Sequence, residues 1–161
     1  MRRSLVSLVA VAATLVAIVP VGVGPARAAV PDDGEQFQSL AAPQRVLDTR
    51  PGQRTADGQL AGGGAVPAGG TLRLRLAGRV GLPDDPAAVT LNVTVTQPEG
   101  PGFVTVFPCT TKPPTASNLN YVAGQTVPNA VIATVASDGA VCLYTWARAH
   151  LVVDVSGWFP A

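Results

Sequence analysis

Hydrophobic and polar residues alternate along much of this chain with the period of two that an extended strand imposes. Between Thr71 and Leu76, Leu72, Leu74 and Leu76 share one face, and Thr71, Arg73 and Arg75 the other. Between Ala88 and Thr96, Val89, Leu91, Val93 and Val95 oppose Thr90, Asn92, Thr94 and Thr96. The same reading predicts strands at Gln44–Arg50, Phe103–Phe107, Asn118–Tyr121, Val141–Trp146 and His150–Phe159. Ala130–Ala136 is apolar on both faces, which predicts a central strand covered on both sides. The turn at Pro98–Gly102 predicts a hairpin between its flanking strands, and Ser137-Asp138-Gly139 predicts a second.

No segment after the first 28 residues reads as a helix. Gln53–Gly70, with Gly62-Gly63-Gly64 and Pro67, is too polar and glycine-rich for one, and a loop of that length is either functional or mobile. Gly78–Pro86 reads as a turn region, and Lys112–Ala116 as a proline-containing connection. The fold class expected is all-β: a single antiparallel β-sandwich, jelly-roll-like, of about eight strands. Composition agrees. With 47% hydrophobic and 13% charged residues the chain is too apolar to stay disordered, and 15 prolines and 17 glycines punctuate its apolar runs.

The N-terminus changes the picture of where the domain works. Arg2 and Arg3 precede an apolar run from Leu5 to Gly24, and Ala26-Arg27-Ala28 supplies small residues where a signal peptidase cuts. Residues 1–28 are therefore read as a secretory signal, 29–43 as a flexible leader, and 44–161 as the β-sandwich domain. The run is long enough to span a bilayer, so an uncleaved anchor competes with this reading, but Pro20, Gly22 and Gly24 interrupt its end. No membrane span is expected after signal cleavage. Export to an oxidising compartment implies that the only two cysteines, Cys109 and Cys142, form a disulfide. Losing Arg2, Arg3 and Arg27 takes the formal charge from +1 to −2, and one lysine with no basic patch argues against nucleic acid as a partner. Ten arginines against one lysine, with abundant alanine, glycine and proline, point to a GC-rich bacterial genome.

Three segments carry a family likeness. They are Arg45-Val46-Leu47-Asp48-Thr49-Arg50, then Leu91-Asn92-Val93-Thr94-Val95-Thr96, then the stretch from Ala116-Ser117-Asn118-Leu119-Asn120-Tyr121 through Gly124-Gln125-Thr126-Val127-Pro128-Asn129 to Val152-Val153-Asp154-Val155-Ser156-Gly157-Trp158-Phe159. Together they resemble a secreted β-domain of actinobacterial exported proteins, which stands alone, in tandem or attached to envelope hydrolases. The likeness spans Gln44 to Phe159 and implies an extracytoplasmic accessory module. It supplies no catalytic or binding residue, because no activity is established for the family.

The candidate chemistry is sparse. His150, Asp154 and Ser156 suggest a triad, but residues four to six apart on one strand lie about 13–20 Å from each other, too far for hydrogen bonds. Asp48 and Asp154 could pair for glycoside hydrolysis. A structural ion pair involving Arg50, Asp48 and Asp154, with Arg45 near them, fits their apolar strands better. No metal site is expected. Two cysteines and one histidine make no zinc set, and Asp84-Asp85 and Asp32-Asp33 read as solvated turns rather than calcium loops. Gly62-Gly63-Gly64 lacks the lysine and helix of a phosphate cradle, and Asn92-Val93-Thr94 reads as an accidental glycosylation sequon. No cofactor is expected.

Ligand binding is the sharper expectation. Asn92, Asn118 and Asn120 offer amides from two strand faces, and Trp146 and Trp158, with Tyr144, offer rings for a sugar to stack on. The competing reading places these aromatics in the core and the amides on backbone groups at turns. The function expected is a secreted, non-catalytic, cell-surface or extracellular binding module for glycan or envelope polymer. The alternative is a structural or assembly module that associates with partner proteins or itself through sheet edges. The partners expected are accordingly a cell-envelope glycan or a secreted protein.

Overall fold

The computed structural model describes residues 36–109 and 112–161. The expected signal at 1–28 and residues 29–35 of the expected leader lie outside the described residues. Eight strands follow one another without a helix: β1 (Gln38–Asp48), β2 (Thr71–Arg75), β3 (Ala88–Thr96), β4 (Gly102–Pro108), β5 (Leu119–Tyr121), β6 (Val127–Thr134), β7 (Ala140–Thr145) and β8 (His150–Phe159). Two four-stranded antiparallel sheets result, in the orders β1-β8-β3-β6 and β2-β7-β4-β5. No helix among the described residues is long and apolar enough to cross a membrane.

The strand orders are those of a jelly roll. β1 pairs with β8, β2 with β7, β3 with β6 and β4 with β5, as though one long hairpin had been folded in half and rolled. Successive pairs fall alternately in the two sheets, and the roll is closed by β3 on β8 and β4 on β7. The tip of this hairpin is the β4–β5 connection.

Alternation decides which side of each strand turns inward. Val89, Leu91, Val93 and Val95 of the first sheet meet Leu74, Val104, Val106, Val141 and Leu143 of the second, all at 9% exposure or less. Leu151, Val153 and Val155 complete the core from β8. Each inward aliphatic side chain contributes about 1.5–3 kcal/mol by leaving water.

Both expected hairpins are corners instead. β3 and β4 lie in different sheets, and so do β6 and β7. The turn chemistry was read correctly, but a tight turn serves a sheet-to-sheet corner as well as a hairpin. At the first corner Gln97 takes φ 51°, turning the chain out of the plane of β3. At the second, Gly139 donates to the Ala136 carbonyl at 2.8 Å. The expectation of a central strand at Ala130–Ala136 is also corrected: β6 is an edge, and Ile132 is 67% exposed.

The first strand begins at Gln38 rather than Gln44, so residues 38–43 of the expected leader belong to the sheet. Ser39 pairs with Gly157. A Cβ on Gly157 would run into the Gln38 carbonyl and the Phe37 ring, so glycine there lets the early segment pack. Phe37 then meets Phe159 with ring centroids 5.4 Å apart.

The glycine-rich loop is tied down along its length. Ala56 and Gly62 donate to the carbonyls of Arg45 and Asp48, each at 2.8 Å, and Val66 bridges to Ala149. Arg79 anchors it from the other side. Its guanidinium is only 5% exposed and grips both Asp57 oxygens, Nε at 2.7 Å and Nη2 at 2.9 Å. It also donates to the carbonyls of Arg75 at 2.8 Å and Val46 at 2.9 Å, so one side chain joins β1, β2 and the loop. The next residue, Val80, holds φ 47°, a left-handed conformation that costs an L residue about 1–2 kcal/mol.

The bonds from Arg79 hold the Asp57 carboxyl below its ordinary value of 3.8 against the opposing effect of burial. A depressed carboxyl stabilises the fold above its unfolded value and loses that contribution as pH falls through the folded one. Acid unfolding of the wild type should therefore deepen below pH 3.8. Asp57→Ala, which leaves Arg79 buried without its counter-ion, should cost about 3–5 kcal/mol in urea denaturation at neutral pH. A loss under about 1 kcal/mol, the range of an exposed pair, would contradict this role.

Candidate functional site

The outer face of the second sheet carries the residues that oppose the core: Phe103, Thr105 and Phe107 on β4, Asn120 on β5, and Cys142 and Tyr144 on β7. Three of these are hidden although they point away from the core. Thr105 is 1%, Phe107 4% and Cys142 7% exposed. The cover is the β4–β5 connection at the tip of the rolled hairpin, which folds back over the sheet.

Three attachments hold that cover. At its start, Cys109 is bonded to Cys142 across from β4 to β7. At its end, the Asn118 amide donates to the Val104 carbonyl at 2.8 Å, and the Asn118 Oδ1 accepts from the Val106 amide at 2.7 Å. Between them, the Thr105 hydroxyl donates to the Ala116 carbonyl.

Beside the cover lies a groove of about 630 Å³, open to solvent and walled on one side by Pro113, Pro114, Thr115, Ala116 and Ser117. Its opposite side is aromatic. Phe103 sits between Trp146, at 5.6 Å and 24° between planes, and Tyr144, at 5.9 Å and 45°. Such offset and tilted pairs gain about 0.5–1.5 kcal/mol beyond burial. Asn120 borders the same groove, and Trp146 is 58% exposed.

Trp146 is exposed, yet its backbone is held on both sides. Its amide donates to the Phe103 carbonyl at 3.0 Å, and its carbonyl accepts from Gly69 at 3.2 Å. Beneath it, the buried Tyr121 hydroxyl meets Thr145 Oγ1 at 2.7 Å and accepts from the Ala147 amide at 3.1 Å. Gly102 makes the close approach feasible: a Cβ there would lie 2.8 Å from the Tyr121 hydroxyl and 3.0 Å from the Trp146 Cβ.

Of the expected ligand residues, the structure brings together Asn120 and Trp146, with Tyr144 between strands. Asn118 serves the backbone of β4 and positions the groove wall. Asn92 lies on the outer face of the first sheet, opposite Ala130 and Asp154, on the far side of the sandwich. Trp158, also in the first sheet, packs half-buried against the core. Asn120 and Trp146 therefore share one groove, and Asn92 and Trp158 lie apart from them on the other sheet. Phe103, at the centre of the groove, was not singled out. Its signal lay in β4, where Val104 and Val106 claim the core and leave Phe103 outside.

The charged cluster stands on the first sheet. Asp48, fully buried, accepts from Arg50 Nη2 at 2.7 Å and Nε at 3.0 Å, and from Arg45 Nη1 at 3.2 Å. Arg45 turns its other edge to Asp154, with Nε at 2.9 Å. Burial alone would raise the Asp48 pKa, but the bonds from the Arg50 side chain and backbone and the charges of Arg50 and Arg45 together hold it below the ordinary value. Asp48 and Asp154 thus share one guanidinium, an arrangement that locks β1 to β8. His150 is half-buried with Nδ1 3.0 Å from the Thr49 hydroxyl. Ser156 donates to the Thr90 carbonyl at 3.3 Å, so the triad residues have separate partners.

The chain matches no protein-family model and no curated protein. The reading of its site therefore rests on residues and geometry.

Replacing both Cys109 and Cys142 with serine should cost about 3–4 kcal/mol, the loop-closure value for a bridge between residues 33 apart. Hydrogen exchange should then rise first in residues 112–118. Uniform exchange across both sheets, or none in this segment, would show that the bridge does not hold the groove wall.

Proposed function

We propose that this protein is an exported, non-catalytic binding module that engages glycan or envelope polymer through the aromatic groove on its second sheet. One observation carries the reading: Phe103, Tyr144 and Trp146 converge at the surface beside Asn120, with the indole more than half exposed. A buried core does not need an exposed tryptophan, and leaving one in water forgoes the large gain its burial would bring. A ring held by fixed backbone, open on one side and flanked by an amide, is pre-organised for a ligand and loses little entropy on binding.

The rest of the molecule is consistent with this role. The disulfide fits an oxidising compartment, and the basic start, apolar run and Ala26-Arg27-Ala28 fit export there. The likeness of the RVLDTR and VDVSGWF segments to exported actinobacterial β-domains points the same way. Among the described residues, no carboxylate, imidazole or thiol lines the groove, so it offers no acid–base pair to a substrate.

A second reading has its own support. β6 forms one margin of the first sheet and exposes Ile132, a geometry open to pairing with another strand. A protein that assembles in this way would show mass rising with concentration by light scattering, and Ile132→Lys would suppress it.

Trp146→Ala tests the main reading. It should abolish retention of the protein on insoluble cell-envelope polysaccharide while lowering stability by only about 0.5–1.5 kcal/mol, the contribution of its stacking on Phe103, so that the domain stays folded. Retention equal to wild type would remove the groove from the binding account.

A further inference from the structure

Resting on that reading, the groove's chemistry narrows the ligand. Among the described residues that line it, none is charged. Lys112, next to Pro113 in the chain, is not part of the lining. Two exposed ion pairs, Arg73 with Asp138 and Arg148 with Glu99, are already matched internally. A phosphate or carboxylate entering this groove would shed water and find no cation to replace it. Neutral donors and acceptors are present instead: the Asn120 amide and the hydroxyls of Thr115, Ser117 and Tyr144. A pyranose ring matches both halves of this lining. Its polarised C–H face lies on the negative face of an aromatic ring, and its equatorial hydroxyls reach the polar wall.

The rings also limit the ligand's shape. Phe103 and Trp146 are inclined by 24°, and Phe103 and Tyr144 by 45°. A flat crystalline polymer surface cannot lie on three rings so inclined. A single twisted chain can follow them, and the proline-rich wall opposite confines it from the other side. The volume of about 630 Å³ exceeds what one hexose ring fills, and the groove is open to solvent. It falls within the range of about 300–1,000 Å³ in which ligands larger than a single sugar are bound.

From these features we infer that the site takes an internal segment of one neutral pyranose chain, in preference to an anionic envelope polymer or a crystalline polysaccharide surface. Trp146 and Phe103 form the stacking floor, and Asn120 reads a ring hydroxyl. A proline-rich peptide also stacks on aromatic rings. It offers only backbone carbonyls as acceptors and no donors, so it would leave the acceptor capacity of Asn120, Thr115 and Ser117 unused.

The test is calorimetric titration of the purified protein with four classes of probe. They are soluble neutral glycans (chitohexaose, cellohexaose, laminarihexaose, soluble arabinogalactan), polyanions (poly(glycerol phosphate), polygalacturonate), a decaproline peptide and, by sedimentation, crystalline cellulose and chitin. The expected result is binding to a soluble neutral glycan, with affinity unchanged between about 50 mM and about 500 mM salt. Trp146→Ala should weaken it at least about tenfold and Asn120→Ala about three- to tenfold. Binding of polyanions alone, or of crystalline polymer alone, that is lost in Trp146→Ala would overturn the neutral-chain inference and leave the glycan-binding module standing. Binding of decaproline alone would overturn both, because the partner would be a protein. Silence from all four classes would overturn both as well.

Discussion

A loop folded back on a sheet is what gives this protein its groove, and a covalent bond holds the loop there. Cys109 and Cys142 connect the end of β4 to the middle of β7 on the outer face of the second sheet. Residues 113–117 then lie against that face before Asn118 returns the chain to β5. Without the constraint, the face would be a flat, twisted surface bearing two phenylalanines, a tyrosine and an exposed tryptophan. With it, Phe107 and Thr105 are covered, and Phe103, Tyr144 and Trp146 become one side of a groove. The same bridge thus contributes stability and shape.

The topology explains why the groove lies where it does. In a rolled hairpin the tip is the one connection that joins neighbours in the same sheet, and here it is also long enough to fold over. The opposite end of the roll is fixed by different means. Arg79 gathers β1, β2 and the glycine-rich loop around one buried guanidinium, while Arg45 and Arg50 enclose Asp48 between β1 and β8. Charge holds the β1–β8 end of the rolled hairpin, and among the described residues no charged one lines the groove. This separation keeps the ionic contacts in the architecture and out of the groove.

Much of the fold was legible in the sequence because alternation is a local property. The leucines of β2 and the valines of β3 mark their inner faces directly, and every expected strand is present. The disulfide is legible in the cysteine count together with the expectation of export. Which sheet each strand joins was not legible, since Pro98–Gly102 and Ser137–Gly139 have the same chemistry whether they close hairpins or turn corners. That ambiguity separates Asn92, on the outer face of the first sheet, from Asn120 and Trp146 on the second, while the register shift between Thr90 and Leu91 turns Trp158 toward the core. β6 was misplaced because alanines make an edge strand look apolar on both sides. Phe103 was hidden by its own hydrophobicity, and the Arg79–Asp57 anchor joins positions 22 apart through a loop that carries no periodic pattern.

The account stands on ligand contact being confined to one face of one sheet. Chemical-shift mapping by NMR, with isotope-labelled protein and a pool of soluble neutral hexasaccharides, addresses this directly. The account predicts perturbations clustered at Phe103, Asn120, Tyr144, Trp146 and residues 113–117, with the Trp146 indole among the largest. Perturbations centred on Asn92, Asp154 and Trp158, on the outer face and margin of the other sheet, would contradict it.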